Sequence, residues 1–106
     1  MQLKKALGKN IQKYRKINKL TQEKLAEIVG VEINSISSVE TGKYFPSPDN
    51  IVNIAKALKV SLPDLFNFKD EYTNEDYLEE ISCRLNLIKN DKSKLMSVNA
   101  FLEKIL

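Results

Sequence analysis

No histidine occurs anywhere in these 106 residues. Its absence removes the side chain most often used for proton transfer near neutral pH, and with it any Cys/His zinc site. Cysteine is nearly missing too. Cys83 stands alone, so no disulfide can close within the chain, and the thiol is read as a small core side chain. There is no glycine-rich phosphate loop, and no helix carries acids spaced to hold a metal; the adjacent Glu79 and Glu80 point to different sides of a helix and read as a solvated face. The expectation is a protein that is not an enzyme and takes neither cofactor nor metal.

No apolar run approaches the roughly 20 residues that a membrane-crossing helix needs. The amino terminus, MQLKKALGKNIQKYRKINKL, scatters lysines among its apolar residues and lacks the continuous apolar stretch of a secretory signal. A soluble cytoplasmic protein without a membrane partner is expected. Period-two alternation, internal repeats and low-complexity tracts are also absent, which points away from sheets and toward an all-α fold.

What is present is an uneven distribution of charge. The net charge is +3, but residues 1–60 hold eleven Lys or Arg against five Asp or Glu, whereas residues 61–106 hold six against nine. A basic front half suits a polyanionic partner, although lysines spread over helix surfaces can equally serve only to solvate them.

The front half reads as five helices. Leu3, Leu7, Ile11, Tyr14 and Ile17 recur at steps of four, four, three and three, one stripe on a first helix that Asn18 stops. Thr21 caps a second helix over Gln22–Val29, with Leu25, Ala26, Ile28 and Val29 turned inward. Gly30 supplies the backbone freedom of a tight turn, and a third helix runs from about Ile33 to Glu40, burying Ile36 and Val39 before Gly42 ends it. Ser47-Pro48 opens a fourth helix with the stripe Ile51, Ile54, Ala55 and Leu58. Ser61 and Pro63 start a short fifth one with Leu65 and Phe66. These elements complete a small core over residues 1–68, followed by a polar linker at 69–75.

Helical spacing resumes in a tail, residues 76–106. Thr73 and Asp76 resemble a capping box. Leu78, Ile81, Leu85 and Ile88 form one stripe and Leu95, Val98, Leu102 and Ile105 another, separated by Lys89-Asn90-Asp91-Lys92-Ser93, so a helical hairpin is expected. Two short helices with exposed apolar stripes are not stable alone in water. They either fold back on the first domain and complete its core or pair with a second copy, and twofold pairing is the preferred reading because closed dimers are the commonest oligomers.

Between Thr21 and Gly42 the order Thr21-Gln22, Leu25-Ala26, Gly30-Val31, Ile36-Ser37 and Val39-Glu40-Thr41-Gly42 resembles the helix-turn-helix of lambda-repressor and Cro-like transcriptional regulators. The flanks match as well, through R-K-x-x-K-L-T-Q at residues 15–22 and I-A-K-A-L-x-V-S-x-x-x-L-F at residues 54–66. The resemblance covers residues 1 to about 68 and implies a five-helix DNA-binding domain whose third helix enters the major groove of double-stranded DNA. By position it implies base contacts from Glu32, Ile33, Asn34 and Ser38. Asn suits adenine, Ile a thymine methyl, and a carboxylate mainly a cytosine amino group. Glu32 departs from the Ser or Thr usual there.

The resemblance also implies phosphate contacts. Gln22, at the start of the second helix, is the leading candidate, followed by Arg15, Lys43 and Tyr44, then Lys16, Ser37 and Asn18. Glu40 is implied to pair with a basic residue of the first helix, here Arg15, and this competes with a phosphate role for Arg15.

Three functions follow as alternatives. The first is a dimeric sequence-specific repressor on a palindromic operator. The second is an antitoxin or adaptor that captures a regulatory protein partner through the tail, and the third, disfavoured by the missing chemistry above, is an enzyme. Regulation is expected to act through protein contact or concentration, since no sensor domain is visible.

Overall fold

A computed structural model describes all 106 residues as seven helices and no strand. They are α1 (Leu3–Ile17), α2 (Gln22–Val29), α3 (Ile33–Glu40), α4 (Pro48–Leu58), α5 (Leu62–Leu65), α6 (Asn74–Ile88) and α7 (Lys92–Ile105). The helices fall into two units, Met1–Glu71 and Tyr72–Leu106.

Helix starts in the first unit are set by side chains that satisfy amide groups left over at a helix end. Thr21 Oγ1 accepts from the Lys24 N–H at 3.0 Å, and the Ser47 and Ser61 hydroxyls accept from the N–H groups of Asn50 and Asp64, each at 3.2 Å. Pro48 sits in the first turn of α4, where a missing N–H costs nothing. Helix α2 stops at Gly30, which takes the left-handed conformation with φ +83° and donates its N–H to Ala26 O at 2.8 Å.

The core is built from Leu7 and Ile11 of α1, Leu25 of α2, Ile36 of α3, Ile54 and Leu58 of α4 and Leu65 of α5, all fully buried. Each such side chain contributes about 1.5–3 kcal/mol of burial free energy. Helix α1 packs on α3, α4 and α5, and α2 packs on α3 and α4. At the crossing of α1 and α3 the backbones nearly touch: a Cβ on Gly8 would lie 2.7 Å from Glu40 O and closer still to Val39 O. The buried Asn10 fastens α5 to α1, donating through Nδ2 to Leu65 O at 2.8 Å and Asn67 O at 3.0 Å.

Four expectations from the sequence are corrected here. Ile28 is exposed: it lies about 60° around α2 from Leu25 on the side away from Ala26, outside the arc that faces α3 and α4. Leu3 and Ile17, at the two extremities of the α1 stripe, are exposed because they project past the neighbouring helices. Cys83 is exposed as well, on the side of α6 opposite its apolar stripe. Residues 69–71, placed in a linker by their polarity, form one 3-10 turn of the first unit. Phe68 is buried just before that turn, and Lys9 and Lys13 of α1 pair with Glu71 and Asp70 at 3.3 and 3.5 Å.

The second unit begins with a complete capping box. Thr73 Oγ1 accepts from the Asp76 N–H at 3.2 Å, and Asp76 Oδ2 accepts from the Thr73 N–H at 3.0 Å. The Thr73 N–H, helped by the Thr73 hydroxyl that also donates to Oδ2 at 3.2 Å, favours the ionised acid, so the Asp76 carboxyl is held below its ordinary value of 3.8. After α6, the connection at 89–91 turns the chain and Asp91 caps α7 by accepting from the Lys94 N–H at 3.1 Å. No residue of α6 or α7 is buried.

Candidate nucleic-acid interface

Helices α2 and α3 with the Gly30 turn between them form a helix-turn-helix, and burial divides α3 into two faces. Ile36, Val39 and Glu40 point into the core, while Glu32, Ile33 and Asn34 at its start are exposed. Glu32 occupies the N-cap position without a side-chain capping bond, so its carboxylate remains free at the positive end of the helix.

Asn34 and Ser38 are one turn apart on the outward side and line an open groove with Ser35 and Tyr44. The loop after α3 is held there by its backbone: the N–H groups of Lys43 and Tyr44 both donate to Ser38 O, at 3.0 and 3.2 Å. Gly42 makes this path possible, with φ +76° and the Lys5 side chain 2.6 Å from where a Cβ would stand. Five implied contact residues, Ile33, Asn34, Ser38, Lys43 and Tyr44, therefore share one end of the domain.

Beneath that surface lies a buried polar cluster. Arg15 Nε donates to Glu40 Oε2 at 2.7 Å and Nη2 to Oε1 at 3.0 Å, while Nη1 donates to Leu20 O at 2.8 Å. The side chains are 10% and 1% exposed. Gln22 Nε2 joins them, donating to Glu40 Oε1 at 3.1 Å. Arg15 is thereby removed from the phosphate candidates: it is buried and its fork is occupied by Glu40. The half-buried Asn18 is removed because both of its amide hydrogens are occupied: Nδ2 donates to Tyr14 O and Leu58 O, both at 2.8 Å, and ties the end of α1 to the end of α4.

Gln22 stays at the first position of α2, half-buried, with a second amide hydrogen and the unbonded N–H groups of a helix start beside it. Lys16 is exposed and Ser37 half-buried. A model described as a helix-turn-helix domain matches residues 8–71, some three-fifths of the chain.

The chain belongs to the helix-turn-helix family of Cro-like regulators.

Among its relatives is the control protein C.SmaI of Serratia marcescens, 42% identical over 65 residues, which are 61% of this chain and 77% of that protein. The antitoxin PezA of Streptococcus pneumoniae is 36% identical over 93 residues, 86% of this chain, which spans 57% of that relative's length. Of solved structures, the restriction-modification controller protein C.AhdI from Aeromonas hydrophila superposes with a TM-score of 0.57 at 31% identity, over 58% of this chain and 94% of that one. This helix-turn-helix protein is a DNA-binding transcriptional regulator.

Sequence reasoning missed three residues that position the interface. Ser35 lines the groove and was detectable from its spacing of three before Ser38. Gly8 and Asn10 set the approach of α1 to α3 and α5, and nothing local marks either. In the tail, Leu85, Ile88, Leu95 and Val98 are half-buried where α6 and α7 meet beside their connection, whereas Leu78, Ile81, Leu102 and Ile105 are exposed. Tyr77 and Phe101 add to that exposed apolar surface.

Proposed function

We propose that this regulator is a repressor that binds a palindromic operator as a homodimer, in the cytoplasm and without any catalytic role. The observation that carries the reading is the tail. Two helices present apolar stripes with Leu78 62% and Ile105 61% exposed, and neither buries a single side chain. Surfaces of this kind mark interaction sites, and a twofold pair of them matches two half-sites one helical turn of DNA apart. Asn34, Ile33, Ser38 and Glu32 then read base edges, while Gln22, Lys43, Tyr44, Lys16 and Ser37 hold phosphates.

The test is binding of the full chain to the DNA upstream of its own gene and to an unrelated fragment, over a range of salt, with oligomeric state measured by light scattering. Preference for the upstream fragment that persists as salt rises, from a dimer, is the expected result. Leu95→Asp with Leu102→Asp should give folded monomers with weakened operator binding. A wild-type chain that is monomeric when bound to a full operator would overturn the reading.

The match to an antitoxin favours a second reading, because it extends beyond Glu71 into the tail. Under it, the same stripes receive a toxin-like protein, and co-purification of a second polypeptide in fixed ratio would select it.

A further inference from the structure

The tail hairpin is electrically polarised along its length. Glu75, Asp76, Glu79 and Glu80 sit in the first half of α6, toward the open end of the hairpin, where Glu103 and Lys104 of α7 offset each other; Lys89, Lys92 and Lys94 gather with the single acid Asp91 around the connection at the closed end, and Arg84 lies between the two. A 15-residue helix is about 22 Å long. Glu75 and Glu79 thus lie at least ten residues of helix, about 15 Å, from the connection that begins at Lys89, more than a Debye length of about 8–10 Å, and are not neutralised by the cations there within one hairpin. Inside the unit, only Glu80 with Arg84 and, weakly, Asp91 with Lys94 make ion pairs. Glu75 and Glu79, one turn apart on α6, have no cationic partner, and Lys89 and Lys92 have no anionic one.

The apolar stripe follows the same gradient. It is half-buried at the closed end, through Leu85, Ile88, Leu95 and Val98, and open at the acidic end, where Leu78, Ile81, Leu102 and Ile105 are exposed. The open end is therefore both the end that most needs cover and the end where Glu75 and Glu79 have no cation paired to them.

We propose that a second copy of this chain covers it, with the two hairpins running head to tail so that the acidic open end of each lies against the basic closed end of the other. This rests on the homodimer reading above and adds the direction of pairing. Hairpins placed in the same direction would set the net acidic ends against each other and the net basic ends against each other, which like-charge repulsion opposes. The head-to-tail arrangement satisfies both ends twice over a shared apolar seam, and its twofold axis crosses the hairpins near their middle.

Sedimentation equilibrium of the full chain at about 50 mM salt tests the proposal. Glu75→Lys with Glu79→Lys should weaken the dimer at least about fivefold, since four cross-copy contacts change and exposed pairs each shift an equilibrium about 1.5- to 5-fold. Lys89→Glu with Lys92→Glu should do the same. All four exchanges in one chain should restore the dimer, which also shows that the altered surfaces still fold. Added salt should weaken the wild-type dimer. If neither double variant alters a stable wild-type dimer, or if the fourfold exchange fails to rescue, the head-to-tail direction is wrong and the dimer stands. A wild-type chain that stays monomeric at tens of micromolar removes both.

Discussion

Replacing Arg15 with alanine separates a structural role from a DNA-binding one. In the native domain Glu40 is 1% exposed at its side chain and accepts three hydrogen bonds, two from Arg15 and one from Gln22. Arg15→Ala leaves that carboxylate buried with Gln22 alone, at 3.1 Å. Removing one partner of a buried ion pair costs about 3–5 kcal/mol, a large share of the roughly 5–15 kcal/mol that holds a small domain together. At about 4–8 °C per kcal/mol for a unit of this size, the melting temperature should fall by at least about 12 °C. Glu40→Ala should cost less, because Arg15 keeps its bond to Leu20 O and can turn toward water. The pair Arg15→Met with Glu40→Leu should be more stable than Arg15→Ala alone, so that the two single losses exceed the double loss by at least about 2 kcal/mol. Urea unfolding followed by far-ultraviolet circular dichroism measures all four chains. If Arg15→Ala unfolds within about 0.5 kcal/mol of the native protein yet binds DNA with a shallower salt slope, the ion pair is incidental and Arg15 belongs to the phosphate contacts after all.

Gly8→Ala should reverse the usual sign of a helical glycine substitution. The gain of about 1 kcal/mol expected from helix propensity is overtaken by backbone carbonyls of Val39 and Glu40 within 2.7 Å of the new methyl group, for a net loss of about 1–2 kcal/mol in the same unfolding assay; a rise in stability would show that α1 and α3 do not cross so closely. Asn34→Ala should relax discrimination at one base pair by about 1–3 kcal/mol, whereas Lys43→Ala should weaken all sequences alike and flatten the salt slope by about one unit. Competition binding with single-base operator variants distinguishes the two, and a swapped pattern would mean that another element enters the groove. The capping box makes the start of α6 sensitive to acid. Because the folded Asp76 carboxyl lies below 3.8, its stabilising effect is fully present above that value and is lost as pH falls through the lower folded one. A protection factor of the Thr73 amide that falls on acidification, once the intrinsic pH dependence of exchange is divided out, and that is low at all pH in Asp76→Ala, is the expected signature.

Most of the helix-turn-helix was legible because the interactions that define it are local. Thr21, Ser47 and Ser61 cap amide groups three residues away, Gly30 and Gly42 take the left-handed conformations their turns require, and the stripes of α1 and α4 recur at helical spacing. The failures were at the margins of those stripes. Leu3 and Ile17 carry the right residue type and spacing for a core, yet burial depends on where a neighbouring helix ends, which periodicity does not contain; Ile28 and Cys83 were assigned inward by residue type and lie outside the buried arc of their helices.

The interface divides along the same line. The resemblance placed Glu32, Ile33, Asn34 and Ser38 at the interface and the helical stripe placed Ile36 and Val39 inward; the structure leaves Glu32, Ile33 and Asn34 exposed, Ser38 half-buried beside the groove, and Ile36 and Val39 buried. Sequence alone also determined that the tail would be a pair of helices broken near residues 89–93. Only the tertiary structure decided that Arg15 is buried against Glu40, that the half-buried Asn18 spends its amide on backbone carbonyls, and that Asn10 and Gly8 seat α1 against its neighbours. The physical reason is distance along the chain. Arg15 meets Glu40 across 25 residues, Asn18 meets Leu58 across 40 and Asn10 meets Leu65 across 55, and contacts at such separations exist only once the angles and spacings of packed helices are set.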